Sequence, residues 1–351
     1  MYRKLCDILN EVDCVLITSP HNLRYFAGFR GGEGVALIGS DHRFLFVDSR
    51  YTVAAKAEAT DYEVIEFSAG KLLDLIYDKI SLMSTKNIGY ENSCMTVLEY
   101  EKYSDRLKNC TFVGLKNRLD TLRMIKTDEE ISYIQKAAEI ADNAFREVLS
   151  KIKCGVSECE IAAEIEYIMR RLGGEGTSFD TIVVSGTKSS MPHGMPDNKK
   201  IEYGDFVTMD FGCIYKGFCS DMTRTIVVGE ANHKQVDIYN TVLNAQTTGL
   251  EYIKAGIAAK EADKIARDVI NNAGYGEYFG HSLGHSVGLL IHELPNLSPL
   301  SETILEENMV VTCEPGIYIP GFGGVRIEDL VVVKNNGILN LTNSSKELIV
   351  C

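Results

Sequence analysis

Short apolar runs alternate with amphipathic stretches along the first third of the chain. Cys14 to Thr18, Val35 to Ile38, Phe44 to Val47, Tyr62 to Phe67 and Asn87 to Tyr90 predict strands. Tyr51 to Ala59, Lys71 to Leu82 and Thr96 to Arg106 predict helices, so this region reads as a compact α/β domain. Its Gly28 to Gly34 stretch lacks a Gly-Lys-Ser/Thr ending and precedes a strand, which makes it a turn rather than a phosphate loop. The pattern changes near Leu122, placing the domain boundary between 1–122 and 123–351. Beyond it, Thr127 and Glu130 form a capping box. Ile131, Ile134, Ala138, Ala141, Phe145, Val148 and Ile152 then recur at three- and four-residue intervals. Gly155 ends this helix, and Ser157 with Glu160 caps a second one that runs to Gly173-Gly174.

The same wording returns 101 residues later. Ile152-Lys153-Cys154-Gly155-Val156 is answered by Ile253-Lys254-Ala255-Gly256-Ile257, and Glu160 by Glu261. Glycine-punctuated strand material follows each helix pair, at 178–228 and at 281–333. The pattern predicts an α+β domain made of a duplicated unit, two helices plus an antiparallel sheet, with a cleft where the halves meet.

Composition narrows the chemistry. Among 351 residues, 49 Asp and Glu against 36 Lys and Arg leave a net charge of −13, which argues against a nucleic-acid partner. No run approaches the roughly 18 apolar residues of a membrane span, and Met1 to Glu11 lacks a signal-peptide core, so a cytoplasmic location is expected. The ten cysteines include no C-x-x-C pair and are expected to be mostly small buried hydrophobes.

The acids are more informative. Phe206 to Gly212 and Ser220 to Val228 have strand composition, and a hairpin turning on Tyr215-Lys216 would set Asp210 opposite Asp221. Glu314 and Glu328 fall symmetrically about residue 321 in a second hairpin, around the turn material Pro320 to Gly324. Carboxylates held so close repel unless a cation lies between them or one is protonated. Four of the seven histidines, His193, His281, His285 and His292, cluster in the same two segments. Four carboxylates and a histidine suit two adjacent divalent ions, with oxygen-rich ligation favouring manganese or a similar first-row ion, and hence hydrolysis.

These segments carry an ordered set of motifs: Met-Asp-Phe-Gly at 209–212, Ser-Asp-Met-Thr-Arg-Thr at 220–225, Gly-His-Ser-Val-Gly-Leu at 284–289, His-Glu at 292–293, Glu-Pro-Gly-Ile-Tyr at 314–318 and Val-Arg-Ile-Glu-Asp at 325–329. The set resembles the pita-bread metallopeptidases, most closely the Xaa-Pro aminopeptidases and prolidases, over nearly the whole chain, including a creatinase-like N-terminal domain. The resemblance implies metal ligation by Asp210, Asp221, His285, Glu314 and Glu328, with Asp221 chelating one ion and Asp210 and Glu328 bridging two. It also implies a proton shuttle at Glu314, substrate and intermediate contacts from His193, His281 and His292, and Arg326 near the substrate end of the cleft. Two divalent ions, Mn2+ foremost with Co2+, Zn2+ or Fe2+ as alternatives, a homodimer, and peptide substrates with proline at the second position are implied likewise. The expected activity is Xaa-Pro aminopeptidase, with strict Xaa-Pro dipeptidase (prolidase) as the alternative. A non-catalytic peptide- or partner-binding relative is the distant one, but its signature, a broken ligand set, is absent. One departure stands out: the usual Gly-His-Gly is Gly-His-Ser here, with Ser286 after the expected ligand.

Overall fold

The computed structural model describes residues 2–351. The chain divides into two compact units, Met1–Leu122 and Arg123–Cys351. In the first, the strands Glu63–Phe67, Arg43–Asp48, Val35–Gly39, Cys14–Ile17, Asn87–Tyr90 and Thr111–Gly114 form, in that order, one mixed sheet. Several of its elements go beyond the sequence reading, two of them informative. Helix Pro20–Ala27 has the proline at its first position, where the missing N–H costs nothing, and Gly28 ends it in a left-handed conformation. The edge strand Thr111–Gly114 has exposed ends and only Phe112 and Val113 half-buried between them, too little apolar pattern to announce itself.

The second unit contains the duplication. Helices Asp128–Val148 and Glu158–Arg171 make the first pair, His233–Tyr252 and Ala259–Asn272 the second. Both expected capping boxes form, Thr127 with Glu130 and Ser157 with Glu160. Every apolar position predicted from Ile131 to Ile152 is buried. The glycines that end the corresponding turns, Gly155 and Gly256, share φ values of 86° and 90°, which a side chain would strain. Their surroundings match bond for bond: Gly155 N–H donates to Ile201 and Gly256 N–H to Leu305, while Glu158 N–H donates to Lys199 and Ala259 N–H to Thr303.

The sheets repeat as well. Ile182–Ser185, Phe206–Phe211 and Met222–Val227 are hydrogen-bonded in that order, and Gly284–Ser286, Val310–Cys313 and Asp329–Lys334 repeat the order in the second half. Each half packs its own core, around Phe145, Ile165 and Met209 in one and Ile253, Ala266 and Val311 in the other. A further cluster joins them, with Phe206 and Val227 from the first half and Ile317 and Val325 from the second. The result is the duplicated α+β arrangement expected from the sequence, two helix pairs with an antiparallel sheet each, in the second unit.

Two expectations need correction. The first hairpin turns on Lys216-Gly217, both with positive φ as in a primed two-residue turn, rather than on Tyr215-Lys216. Asp210 therefore lies opposite Thr223, and Asp221 sits diagonally from it on the same face. The cysteines are also less buried than expected: Cys14, Cys213, Cys219 and Cys313 are buried, but Cys6, Cys94, Cys154, Cys159 and Cys351 are exposed.

Candidate active site

The strand ends of both halves open onto one cavity of about 520 Å³. It is lined by all the expected ligand and substrate residues, Asp210, Asp221, His285, Glu314 and Glu328 together with His193, His281, His292 and Arg326. The first half supplies the two aspartates from neighbouring strands. The second supplies both glutamates from an interruption in one long hairpin. Gly316–Ile319 pairs with Gly323–Arg326 in the expected register, Cys313 pairs with Asp329 in the same register, and Glu314 and Glu328 fall between the two ladders. Freed from the ladder, their backbone N–H groups bond elsewhere, Glu314 to Leu283 and Glu328 to Thr223 of the first half.

His285 Nε2 lies 3.5 Å from Asp221 Oδ2 and 3.4 Å from Glu314 Oε1. Asp221, His285 and Glu328 each bring a ligand atom within 4.8 Å of the others. Asp210 Oδ1, Asp221 Oδ1 and Glu328 Oε1 are buried with no hydrogen-bond partner. Such acceptors are costly to leave unsatisfied, and no polar hydrogen is arranged to meet them. Burial, then the charges of Glu328, Asp210 and Glu314, pushes the Asp221 carboxyl well above its ordinary range. Glu328 is pushed the same way by burial and then Glu314. Burial also takes Glu314 up to about 7, although Arg326 pulls it down. Burial holds His285 below the usual imidazole range, the unprotonated form that can ligate a cation. Starved carboxylate oxygens around a neutral imidazole fit divalent cations.

A contrasting group shows what a satisfied carboxylate looks like. In the first unit, His21, Glu91 and Cys94 also converge. There, however, Glu91 accepts from Thr18 N–H, Ser19 N–H, the Ser19 hydroxyl and Asn22 Nδ2, and is occupied in holding the turn that enters helix Pro20–Ala27.

Three of the remaining predicted residues, Arg326, His281 and His292, are held by close neighbours. Arg326 is buried, donating to Thr223 Oγ1 at 3.0 Å, to Tyr318 Oη at 2.8 Å and, in a close ion pair, to Asp210. The Ser282 carbonyl can only accept, so His281 Nδ1–H donates to it at 2.8 Å, and Nε2 of the neutral ring accepts from the Tyr318 hydroxyl at 2.9 Å, whose oxygen in turn accepts from Arg326. Both His281 nitrogens are thus engaged, and burial lowers its pKa to about 4. His292 packs edge-on against His285, with ring centroids 4.4 Å apart.

Sequence reasoning missed the groups that hold the carboxylates. Thr223 Oγ1 donates to Glu328 Oε2 at 2.6 Å, and Thr312 Oγ1 donates to Glu314 Oε1 at 3.0 Å. Each threonine is two residues from an expected ligand, Asp221 or Glu314, so strand alternation could have found both.

Fold and cavity together define a metal-dependent hydrolase with its carboxylates shared between two halves of one duplicated unit. Residues 132–335 match Metallopeptidase family M24, and residues 4–125 match the Creatinase/Prolidase N-terminal domain. The chain belongs to metallopeptidase family M24, which implies divalent metals at this site. It is 45% identical to a solved Xaa-Pro dipeptidase from Bacillus anthracis, covering 100% of this chain and 99% of that one, with a TM-score of 0.97. An Xaa-Pro dipeptidase from Pyrococcus furiosus is 44% identical over 97% of this chain and 96% of that protein. A solved X-Pro aminopeptidase from Thermotoga maritima is 39% identical, covering 99% of this chain and 100% of that one, with a TM-score of 0.94. Among the described residues no helix is long and apolar enough to cross a membrane.

Proposed function

We propose that this chain is an Xaa-Pro dipeptidase, hydrolysing the amide bond between a residue and a following proline with the help of two divalent cations, Mn2+ foremost. The dipeptidase reading displaces the aminopeptidase one expected from sequence, because relatives named for dipeptide cleavage predominate at high identity. The observation that carries the reading is the set of buried, unpartnered oxygens of Asp210, Asp221 and Glu328 facing a cavity shared with His285 and Glu314. These five residues would hold the ions, which when bound supply an activated water at neutral pH and polarise the scissile carbonyl.

The protein's own groups do the rest. Glu314, with Oε1 held by Thr312, is oriented to accept the proton of the attacking water and return it to the leaving nitrogen. An amide to proline has no N–H to donate, so recognition does not rest on that bond, and His193 and His292, which line the cavity, would contact the scissile carbonyl instead. His281 and Arg326 act at one remove. Through Tyr318 they form a hydrogen-bonded brace that fixes the Asp210 carboxylate.

Activity on Xaa-Pro and Xaa-Pro-Xaa peptides, measured after chelation and again after adding Mn2+, tests the proposal. The expected result is loss on chelation, recovery with Mn2+, and cleavage of the dipeptide alone. Undiminished hydrolysis in chelator would remove the metal mechanism, and efficient tripeptide cleavage would return the aminopeptidase reading.

A further inference from the structure

Behind the cavity wall lies a buried cluster that the reaction itself does not use. Gly284–Ser286 pairs with Glu293–Leu297, and in that register Ser286 lies directly opposite Glu293. Residues 287–292 therefore form a loop pinched at its neck by this pair. The register shifts between His285 and Ser286, and the side chains part there: His285 and His292 line the cavity, while Ser286 and Glu293 meet on its reverse side.

On that reverse side a single lysine meets both. Lys126 Nζ donates to Ser286 Oγ at 3.1 Å and to Glu293 Oε2 at 3.2 Å. Arg123 Nε donates to Glu293 Oε1 at 3.1 Å, and Leu290 N–H reaches the same oxygen across the loop at 3.3 Å. The Lys126 and Glu293 side chains are each only 2% exposed, so breaking one partner leaves the other desolvated and unpaired. The loop is built to admit the carboxylate: a Cβ on Gly288 would lie 2.3 Å from Glu293 Oε2.

We propose that Lys126 is a positioning residue for the His285–His292 pair, clamping the neck of the loop that joins the two rings' segments, and that Ser286 is its second anchor. The inference rests on the metallopeptidase reading only in making His285 a metal ligand. Outer partners of this kind typically change metal affinity 10- to 100-fold.

Histidine side-chain 1H–15N spectra of the metal-stripped protein test the clamp independently of catalysis. Lys126→Met should shift or broaden the His285 and His292 ring signals while leaving those of His42 and His233 in place. Ser286→Ala, which keeps the Lys126–Glu293 pair and so keeps the fold, should move the His285 signal by a smaller amount. Mn2+ titration should show binding weakened about 10- to 100-fold in Lys126→Met and only a few-fold in Ser286→Ala. Unchanged His285 and His292 signals in Ser286→Ala and in folded Lys126→Met overturn the proposal. If Lys126→Met does not fold, Ser286→Ala alone decides. Failure of the wild-type protein to bind Mn2+ would overturn the metal reading, yet leave the ring-signal test of the clamp standing.

Discussion

Glu328 and Asp329 are consecutive, both buried, and in opposite electrostatic surroundings. Glu328 faces the cavity, where Oε1 has no partner and burial together with Glu314 drives its pKa up. Asp329 faces away and accepts from Arg224 at 2.7 Å, Lys346 at 2.9 Å and Asn340 at 2.8 Å. Burial alone would raise its pKa, but Arg224 and Lys346 outweigh it and hold it below the ordinary range. His292 and Glu293 repeat the contrast, with the histidine in the cavity and the glutamate clasped by Lys126 and Arg123. The strand's two-residue period thus separates two tasks. One face is left electrostatically unsatisfied to receive cations, and the other is fully paired to hold the strands while that tension persists.

The sharpest break in this contrast comes from removing one charge on the cavity side. Asp221→Asn should lower turnover by more than the roughly 100-fold that loss of an outer partner costs. In the metal-stripped protein the same change should raise the melting temperature, since it deletes a buried charge set among Glu328, Asp210 and Glu314. Assay of the loaded enzyme beside calorimetry of the stripped one checks both halves. Retained turnover would remove Asp221 from the ligand set.

The mirror experiment on the paired side should go the other way. Asp329→Ala leaves Arg224 and Lys346 without their carboxylate and should cost about 3–5 kcal/mol of unfolding free energy, measured by denaturant titration. A neutral result would mean that the reverse face is not what holds the strands.

Glu293 gives a pH test of the same idea. Burial raises its pKa, but Lys126 and Arg123 outweigh burial and leave it below the usual glutamate value. A lowered carboxylate contributes stability that is present above the unfolded-state value of about 4.3 and is lost as pH falls through the folded value. The wild-type stability curve should therefore decline in acid below about pH 4.3 more steeply than that of Glu293→Gln, whose amide does not titrate there. Parallel acid limbs would count against the ion cluster.

How much of this was legible beforehand depends on sequence separation. The duplication could be read because both copies spell their helix–glycine–helix turn almost alike, and Gly155 and Gly256 do occupy the same backbone conformation. The glutamate pair was placed in the right register because its hairpin closes symmetrically about residue 321. The aspartate pair was misregistered, since Tyr215-Lys216-Gly217 offers two adjacent turn centres and only the second gives two consecutive positive φ values. The reverse face could not be read at all. Lys126 lies 160 residues from Ser286, and Arg224 lies 105 from Asp329, so no local pattern announces either pairing. Arg326 lines the cavity, and its engagement with Asp210, Tyr318 and Thr223 is a detail that motif spacing does not carry.

A more modest effect is expected where the two faces meet. Thr223 belongs to the first half, lies opposite Asp210, and donates its hydroxyl hydrogen to Glu328 of the second half at 2.6 Å. The same oxygen accepts from Arg326 Nε at 3.0 Å, so one hydroxyl couples the cation that braces Asp210 to the carboxylate across the cavity. Thr223→Val keeps the shape and the β-branching but deletes both bonds. Glu328 retains its place through its backbone bond to the residue 223 carbonyl, so the site should survive with altered affinity. Mn2+ affinity should fall about tenfold, at the lower end of outer-partner effects, and activity should recover at raised Mn2+. Activity lost irrecoverably at saturating Mn2+ would instead place Thr223 among the groups that touch substrate, and the division between a cation-receiving face and a bracing face would have to be redrawn at this residue.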